Sequence, residues 1–186
     1  MQAPGNIPTP PRPKITPWMA LLGLFLCCGV PGLIISSIYS FFSGAKHLVQ
    51  DQLCLNNLRS VANAQAMYSV DNNGYLPPAT WMDATLPYLK KNTGAIGCPS
   101  ARSKGKDEYG YAMNERFVGK PMAMVSFTQP LIFDSTLLQR NAVGSTSTLP
   151  KQGRHIRDRD DDNPVEHGNN VAFMDGSARW TDKREF

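Results

Sequence analysis

The sequence predicts an α+β fold in which a long N-terminal helix, one half membrane-spanning and one half amphipathic, packs on a small antiparallel sheet. An uncharged apolar stretch and a following segment with apolar residues every three or four positions predict the helix. Several short strand-like runs nearer the C-terminus predict the sheet. The predicted domains are a disordered cytoplasmic tail at 1–16, a transmembrane helix at 17–44 and an exported domain at 45–186.

The uncharged stretch predicts a membrane anchor. All 31 residues between Lys14 and Lys46 lack charge, and the run from Trp18 to Phe42 exceeds the about 20 apolar residues that span a bilayer. Because Arg12 and Lys14 precede it, the positive-inside rule places the N-terminus in the cytoplasm. We therefore expect a single-pass inner-membrane protein whose C-terminal domain is periplasmic or extracellular.

Two alternatives concern processing of this stretch. Ser43, Gly44 and Ala45 offer the small residues that a signal peptidase cleaves after, although a signal peptide has a much shorter apolar core. Lipid attachment would use Cys27 or Cys28, but the bulky Leu26 precedes them. An uncleaved anchor is the favoured interpretation.

The segment from Ala45 to about Val70 predicts an amphipathic helix that continues the anchor. Polar residues separate its apolar positions, and Gly74 can take the left-handed conformation that ends a helix. The apolar positions are Leu48, Leu55, Leu58, Ala62 and Ala66.

The rest of the chain predicts a short helix at 80–91, strands at 109–113, 122–127 and 131–133, and a polar loop at 141–164. Near the C-terminus, Asp175 and Gly176 separate two apolar runs. Because Asp-Gly tolerates positive φ angles, this pattern predicts a two-residue hairpin.

Composition limits the function classes. The net charge is +4 over 186 residues, and only 18% of the residues are charged. Residues 46–186 contain 17 basic and 15 acidic residues, which is too balanced for nucleic-acid binding through bulk charge. The length excludes a large two-lobed enzyme.

Several segments resemble type IV pilins and the pseudopilins of type II secretion, and more narrowly the pilin-like group with a prepilin-type N-terminus and a His…Asp-Gly tail. The segments that carry the resemblance are CLNNLRSVANAQAMYSVDNNGYLPPA at 54–79, Cys98-Pro99, YGYAMN at 109–114, LIFD at 131–134 and NNVAFMDGSARW at 169–180.

The resemblance implies a non-catalytic protein with a structural or adhesive role in a type II secretion or type IV pilus-like assembly. It implies the lipid bilayer and other pilin-like or secretion-system subunits as partners, with no nucleic acid and no cofactor. The family has a Glu early in its helix, but in this chain no acidic residue precedes Asp51. We therefore expect no homopolymer. The alternative is a tethered domain that binds a glycan or calcium and does not polymerise.

Cys54 and Cys98 are the only cysteines outside the uncharged stretch. In an exported domain such a pair favours a disulfide, which would stabilise the fold by about 3–4 kcal/mol on the chain-entropy model. The alternative is two free buried thiols.

Asp158, Asp160 and Asp162 alternate as at the start of a calcium loop, and related pseudopilins often bind calcium through a late loop. The match is weak because Asn163 and Asn169 stand where Gly and Glu are expected. The alternative is a solvated acidic loop.

The histidines offer one further possibility, an anchored hydrolase that uses His155, His167 and Asp175, with Asp134 as another partner for either histidine. The sequence has no G-x-S-x-G motif and no Gly-rich phosphate loop. It also has no H-x-x-H or C-x-x-C pair at zinc-ligand spacing. We therefore predict no catalytic residues and no metal site beyond the weak calcium candidates.

Overall fold

The computed structural model describes residues 18, 30–102, 107–157, 166–182 and 186. The chain forms two compact units, Met1–Gly44 and Ala45–Phe186. The helices are α1 (Val30–Asp71), α2 (Trp81–Thr85) and α3 (Pro99–Arg102), with 3-10 turns at Leu86–Leu89, Thr93–Ile96, Met122–Met124 and Thr146–Thr148. The strands are β1 (Tyr111–Asn114), β2 (Ile132–Asp134), β3 (Val143–Gly144), β4 (His155–Arg157), β5 (Glu166–Ala172) and β6 (Ala178–Thr181).

The predicted long N-terminal helix with a membrane half is wrong. In the ranges just given, none of the helices has both the length and the apolar composition that a bilayer crossing requires. In the described part of the chain, the uncharged residues of α1 run from 30 to 45, and this stretch is shorter than the about 20 residues a bilayer core needs. The predicted single-pass inner-membrane location is therefore wrong as well. The predicted tail at 1–16 and most of the apolar run before Val30 lie outside the described residues.

The part of α1 within Ala45–Phe186 has most of the predicted apolar face. Leu55, Leu58 and Ala62 are buried, and Ala66 packs against the same core, whereas the side chain of Leu48 lies outside the described residues. The helix ends at Asp71 as expected, because Gly74 adopts a φ of 80° and its N–H donates to the carbonyl of Ser69 at 2.8 Å.

The sheet is mixed, so the predicted purely antiparallel sheet is also wrong. The strand order is β3-β1-β2-β5-β4, with β6 paired to β5. The pair β1–β3 is parallel and the other pairs are antiparallel. Strand β2 runs back beside β1, and the chain then crosses to the far edge of β1, so β3 takes the direction of β1.

Alternate residues of the sheet face two apolar clusters. Tyr111 and Met113 lie in the larger cluster with the buried face of α1, whereas Ala112 lies in a smaller cluster with Leu149. This two-residue period places β1 between α1 on one face and the segment that contains Leu149 on the other.

Three local predictions fail in detail. The segment 122–127 is a 3-10 turn followed by coil instead of a strand, with Met124 and Phe127 exposed. The predicted polar loop at 141–164 contains β3, a 3-10 turn and β4. The predicted helix at 80–91 is α2 followed by the 3-10 turn Leu86–Leu89.

The C-terminal hairpin uses a three-residue loop in place of the predicted two-residue one. The N–H of Gly176 donates to the carbonyl of Phe173, and the N–H of Phe173 donates to that of Ser177. Gly176 has a φ of 78°, which is typical of a type I turn followed by a left-handed glycine bulge.

Candidate functional site

Four charged side chains form the buried ion cluster: Asp51, Asp134, Arg154 and His155. Asp51 lies on α1, Asp134 ends β2, Arg154 directly precedes β4 and His155 begins it. Because β4 and β2 both pair with β5, these residues converge beneath the helix. The cluster therefore joins three segments that are far apart in the chain.

His155 is the centre of the cluster. Its side chain is fully buried, with Nδ1 2.5 Å from Asp51 Oδ1 and Nε2 3.0 Å from Asp134 Oδ2. Burial alone lowers the pKa of His155, but the charges and hydrogen bonds of Asp134 and Asp51 outweigh it and raise the pKa to about 9. His155 is thus an imidazolium at neutral pH and donates from both ring nitrogens.

Asp134 is compensated on its other side by Arg154. Arg154 Nη1 contacts Asp134 Oδ1 at 3.2 Å, and Asp134 Oδ2 accepts from the N–H of Asn170 at 2.6 Å. Burial alone raises the pKa of Asp134, whereas His155 and Arg154 lower it, and the net effect is a pKa below the usual range. The carboxylate is therefore ionised although it is completely buried.

Arg154 reaches this position across a glycine. Its Nη1 donates to the carbonyl of Gly110 and its Nη2 donates to that of Ser135 at 2.5 Å. Gly110 has a φ of 76°, and a Cβ there would meet Arg154 Nη1 at 2.7 Å. The absence of a side chain at Gly110 is what allows the guanidinium to approach.

Asp51 connects the cluster to the helix. Besides its contact with His155, its Oδ2 accepts from the N–H of Ile156 at 3.1 Å. One carboxylate of α1 therefore binds both the side chain and the backbone of β4, which holds helix and strand in a defined register.

A disulfide between Cys54 and Cys98 lies beside the cluster, with its Cα atoms 5.1 Å apart. It joins the two cysteines that the sequence analysis paired. Cys98 Sγ is 3.8 Å from His155 Nε2, and Tyr111 Oη donates to the carbonyl of Cys54 at 3.0 Å. The ligand-type atoms of Cys54, Cys98 and His155 all lie within 4.8 Å of one another and all three residues are buried.

A cavity of about 660 Å³ has Arg154 among its lining residues. Its lining mixes charged, hydroxyl and amide groups with apolar residues, and includes Ser100, Glu108, Thr136, Lys151 and Gln152. Groups of both charges together with hydroxyls suit a polar ligand that both donates and accepts hydrogen bonds.

A second polar group, formed by the ion pair of Asp83 and Arg140 together with Asn141, stabilises a turn. Arg140 forms an ion pair with Asp83, and Asn141 Oδ1 accepts from the N–H of Met82 at 2.8 Å. The hydrogen bonds from Arg140 and Asn141 lower the pKa of Asp83. Asn141 has a φ of 58°, so its side chain ties a strained turn to the start of α2.

The other residues that the sequence analysis singled out do not meet at this site. Asp158, Asp160 and Asp162 lie outside the described residues. His167 is exposed on β5, where it pairs with Ile156 in the ladder. Asp175 accepts from the N–H of Ser177 at 2.8 Å in the hairpin loop. Of the histidine–aspartate pairs considered, the structure brings together His155 and Asp134 alone.

Sequence reasoning missed Asp51 and the position of Arg154. A signal for Asp51 was available, because it lies three residues before Cys54 and so shares that side of the helix. The pairing of Arg154 with Asp134 had no local signal.

The chain matches no protein-family model, no curated protein and no solved structure.

Proposed function

We propose that Ala45–Phe186 is a non-catalytic structural or adhesive domain that packs against other subunits of a pilus-like or secretion assembly through the outer side of α1. The observation that carries this role is the outward stripe, four exposed apolar side chains on α1. They are Val49 (57% exposed), Leu53 (46%), Met67 (46%) and Val70 (78%).

The spacing of the outward stripe suits helix–helix packing. Val49 and Leu53 are four residues apart and Met67 and Val70 are three apart, so each pair is adjacent on the helix surface. Leu53 and Met67 are about four turns apart and project to nearly the same side. Exposed apolar groups on one side of a helix are typical of an interaction surface.

The buried ion cluster supports a structural role. Asp134 and His155 have their charged groups paired within the fold, and neither is accessible to solvent. A general acid or base has to reach a substrate, whereas these groups join helix to sheet. Together with the disulfide they make α1 a rigid support for the outward stripe.

Site-specific photo-crosslinking in the cells that produce the protein tests this role. A photoreactive phenylalanine analogue at Val70 should form adducts whose mass spectra identify a helical peptide of another subunit. The matched control is the same analogue at Phe127, which is 67% exposed elsewhere in the same unit. Equal adducts from both positions, or none from Val70, would refute the proposed contact.

The cavity favours a second candidate, a domain that binds a polar ligand such as a glycan and does not polymerise. Glu108, Lys151 and the hydroxyl groups of Thr136 and Ser100 provide donors and acceptors at its wall. A glycan array with the intact chain should give hits that Lys151→Glu abolishes and that Lys90→Glu, an exposed lysine that does not line the cavity, leaves unchanged. Hits insensitive to Lys151→Glu would reject this site.

A further inference from the structure

We propose that reduction of the Cys54–Cys98 disulfide converts the site beside His155 into a binding site for a divalent soft metal ion such as Zn²⁺, with Cys54, Cys98 and His155 as ligands. The ligand-type atoms of these three residues lie within 4.8 Å of one another, and all three are buried. Two thiolates and an imidazole are the ligands that zinc prefers in proteins. This site is independent of the assembly role proposed for α1.

The distances are close to those of a tetrahedral centre. With metal–sulfur and metal–nitrogen bonds of about 2.3 and 2.0 Å, neighbouring ligand atoms are roughly 3.3–3.8 Å apart. The distance from His155 Nε2 to Cys98 Sγ is 3.8 Å, within this range. The distance from Nε2 to Asp134 Oδ2 is 3.0 Å, below it, so the carboxylate has to move outward slightly when the metal enters. A metal at this point takes the place of the Nε2 proton, and Asp134 Oδ2 is the fourth ligand.

Asp51 supplies the outer partner that a metal-binding histidine needs. Nδ1 of His155 is 2.5 Å from Asp51 Oδ1, so Nδ1 keeps its proton and Nε2 faces the sulfur atoms. A carboxylate that accepts from the far nitrogen of the imidazole is the usual arrangement behind protein zinc ligands. The histidine is therefore oriented before any metal binds.

The charges nearly balance in both forms of the site. In one form, a proton on His155 faces a disulfide, and in the other a metal faces two thiolates. A divalent ion with two thiolates and the Asp134 carboxylate carries a net charge of −1, and Arg154 at 3.2 Å from Asp134 offsets it. Asp51 then accepts a hydrogen bond from a neutral imidazole and keeps one uncompensated negative charge.

The conversion requires a reductant, which is a dithiol in a cell and a phosphine in the experiment. The reductant supplies two electrons and the S–S bond breaks. The dithiol gives its two protons to the sulfur atoms and becomes a disulfide. The phosphine takes the oxygen of a water molecule and becomes a phosphine oxide, and the two protons of that water go to the sulfur atoms. Metal binding then displaces both thiol protons and the Nε2 proton, so three protons leave for each ion bound.

Cobalt(II) titration of the full chain tests the site, in a Cys27→Ser/Cys28→Ser background that removes the other two cysteines. The phosphine-reduced protein should bind one equivalent of Co²⁺ with a near-ultraviolet thiolate-to-cobalt band, and Zn²⁺ should displace it. The oxidised protein should show no such band. The proposal is overturned if the reduced protein keeps its circular dichroism and shows no band. It is also overturned if reduction lowers the circular dichroism, no band appears and Zn²⁺ does not restore the signal.

Variants separate the ligands from their surroundings. Cys54→Ser and Cys98→Ser should each abolish the thiolate band of one-to-one binding or weaken cobalt binding at least tenfold. Asp51→Asn, which alters the outer partner of His155, should weaken cobalt binding about 10–100-fold. His155→Gln should weaken binding at least as much as Asp51→Asn, whereas His167→Gln, at an exposed histidine of the neighbouring strand, should bind as the parent does. Unchanged binding by Cys54→Ser, or equal losses from the two histidine variants, would refute the ligand set.

Discussion

Replacing His155 by glutamine tests whether the buried ion cluster stabilises the fold. The substitution removes the imidazolium that contacts Asp51 at 2.5 Å and Asp134 at 3.0 Å. Glutamine is similar in length but carries no charge, so the completely buried Asp134 keeps only Arg154 as a charged partner. The burial of a carboxylate carries a free-energy cost of desolvation that its cationic partners offset. When one of those partners is removed, part of that cost is no longer offset and the fold is destabilised.

Two independent arguments give the magnitude. Breaking a buried ion pair by removing one partner typically costs 3–5 kcal/mol. The rise in the pKa of His155 from 6.5 to about 9 corresponds to about 3 kcal/mol at 1.36 kcal/mol for each unit. We therefore expect His155→Gln to lower the free energy of unfolding by about 3 kcal/mol at pH 6.

The pH dependence has a definite sign. Because the pKa of His155 is raised on folding, its contribution is fully present below about pH 6.5 and is lost as the pH rises through about 9. The ionisable groups around it are Asp51 on α1, Asp134 on β2 and Arg154 before β4, and burial raises the pKa of the nearby Tyr111, which interacts with Asp134, well above its ordinary value. Tyr111 therefore stays neutral over this range, and the parent should lose stability between pH 6.5 and 9.

Urea unfolding followed by circular dichroism at several pH values measures both effects. His155→Gln should be less stable at pH 6 and should lack the parent's decline between pH 6.5 and 9. The control is His167→Gln on β5, whose exposed side chain should change the free energy of unfolding by no more than about 0.5 kcal/mol. A cost below about 1 kcal/mol, or an unchanged decline with pH in His155→Gln, would refute the reasoning.

Three further stability predictions follow from the packing of the same unit. Cys54→Ser and Cys98→Ser should each cost about 3–4 kcal/mol by reopening a loop of 44 residues, and the double variant should cost no more than either, as urea unfolding can show. Leu58→Ala should cost about 2–5 kcal/mol because the side chain is completely buried, whereas Leu53→Ala, at a half-exposed position of the same helix, should cost much less in a thermal melt. Gly176→Ala should cost at least about 1 kcal/mol, because φ is 78° there and the added Cβ meets Asn63, and a melting temperature equal to the parent's would contradict the glycine-bulge assignment.

Local patterns allowed correct predictions where one element determines the outcome. The apolar period of α1 identified Leu55, Leu58 and Ala62 as its buried face, and the helix ends beside Gly74 where a left-handed residue is needed. These features depend on the periodicity of a single helix and on the conformational freedom of a glycine, both of which are visible in sequence.

Local patterns failed where composition was taken for structure. The uncharged residues between Lys14 and Lys46 predicted a membrane helix from their composition, whereas no helix in the described part of the chain has the length and apolar composition for a bilayer crossing. The apolar residues of the segment 122–127 predicted a strand, yet Met122–Met124 forms a 3-10 turn and the residues after it are coil, with Phe127 exposed.

The sequence by itself therefore determined the inner face of α1, its C-terminal end and the residues available for a disulfide. Only the tertiary structure decided the parallel pairing of β1 with β3 and the meeting of Asp51, Asp134 and His155. A carboxylate on a helix has the same sequence pattern whether it faces water or an imidazole. What distinguishes the two is the partner, which arrives from another segment about a hundred residues away when the sheet forms. The motif search missed the candidate metal ligands for the same reason, because they lie close together in the fold but far apart in the sequence.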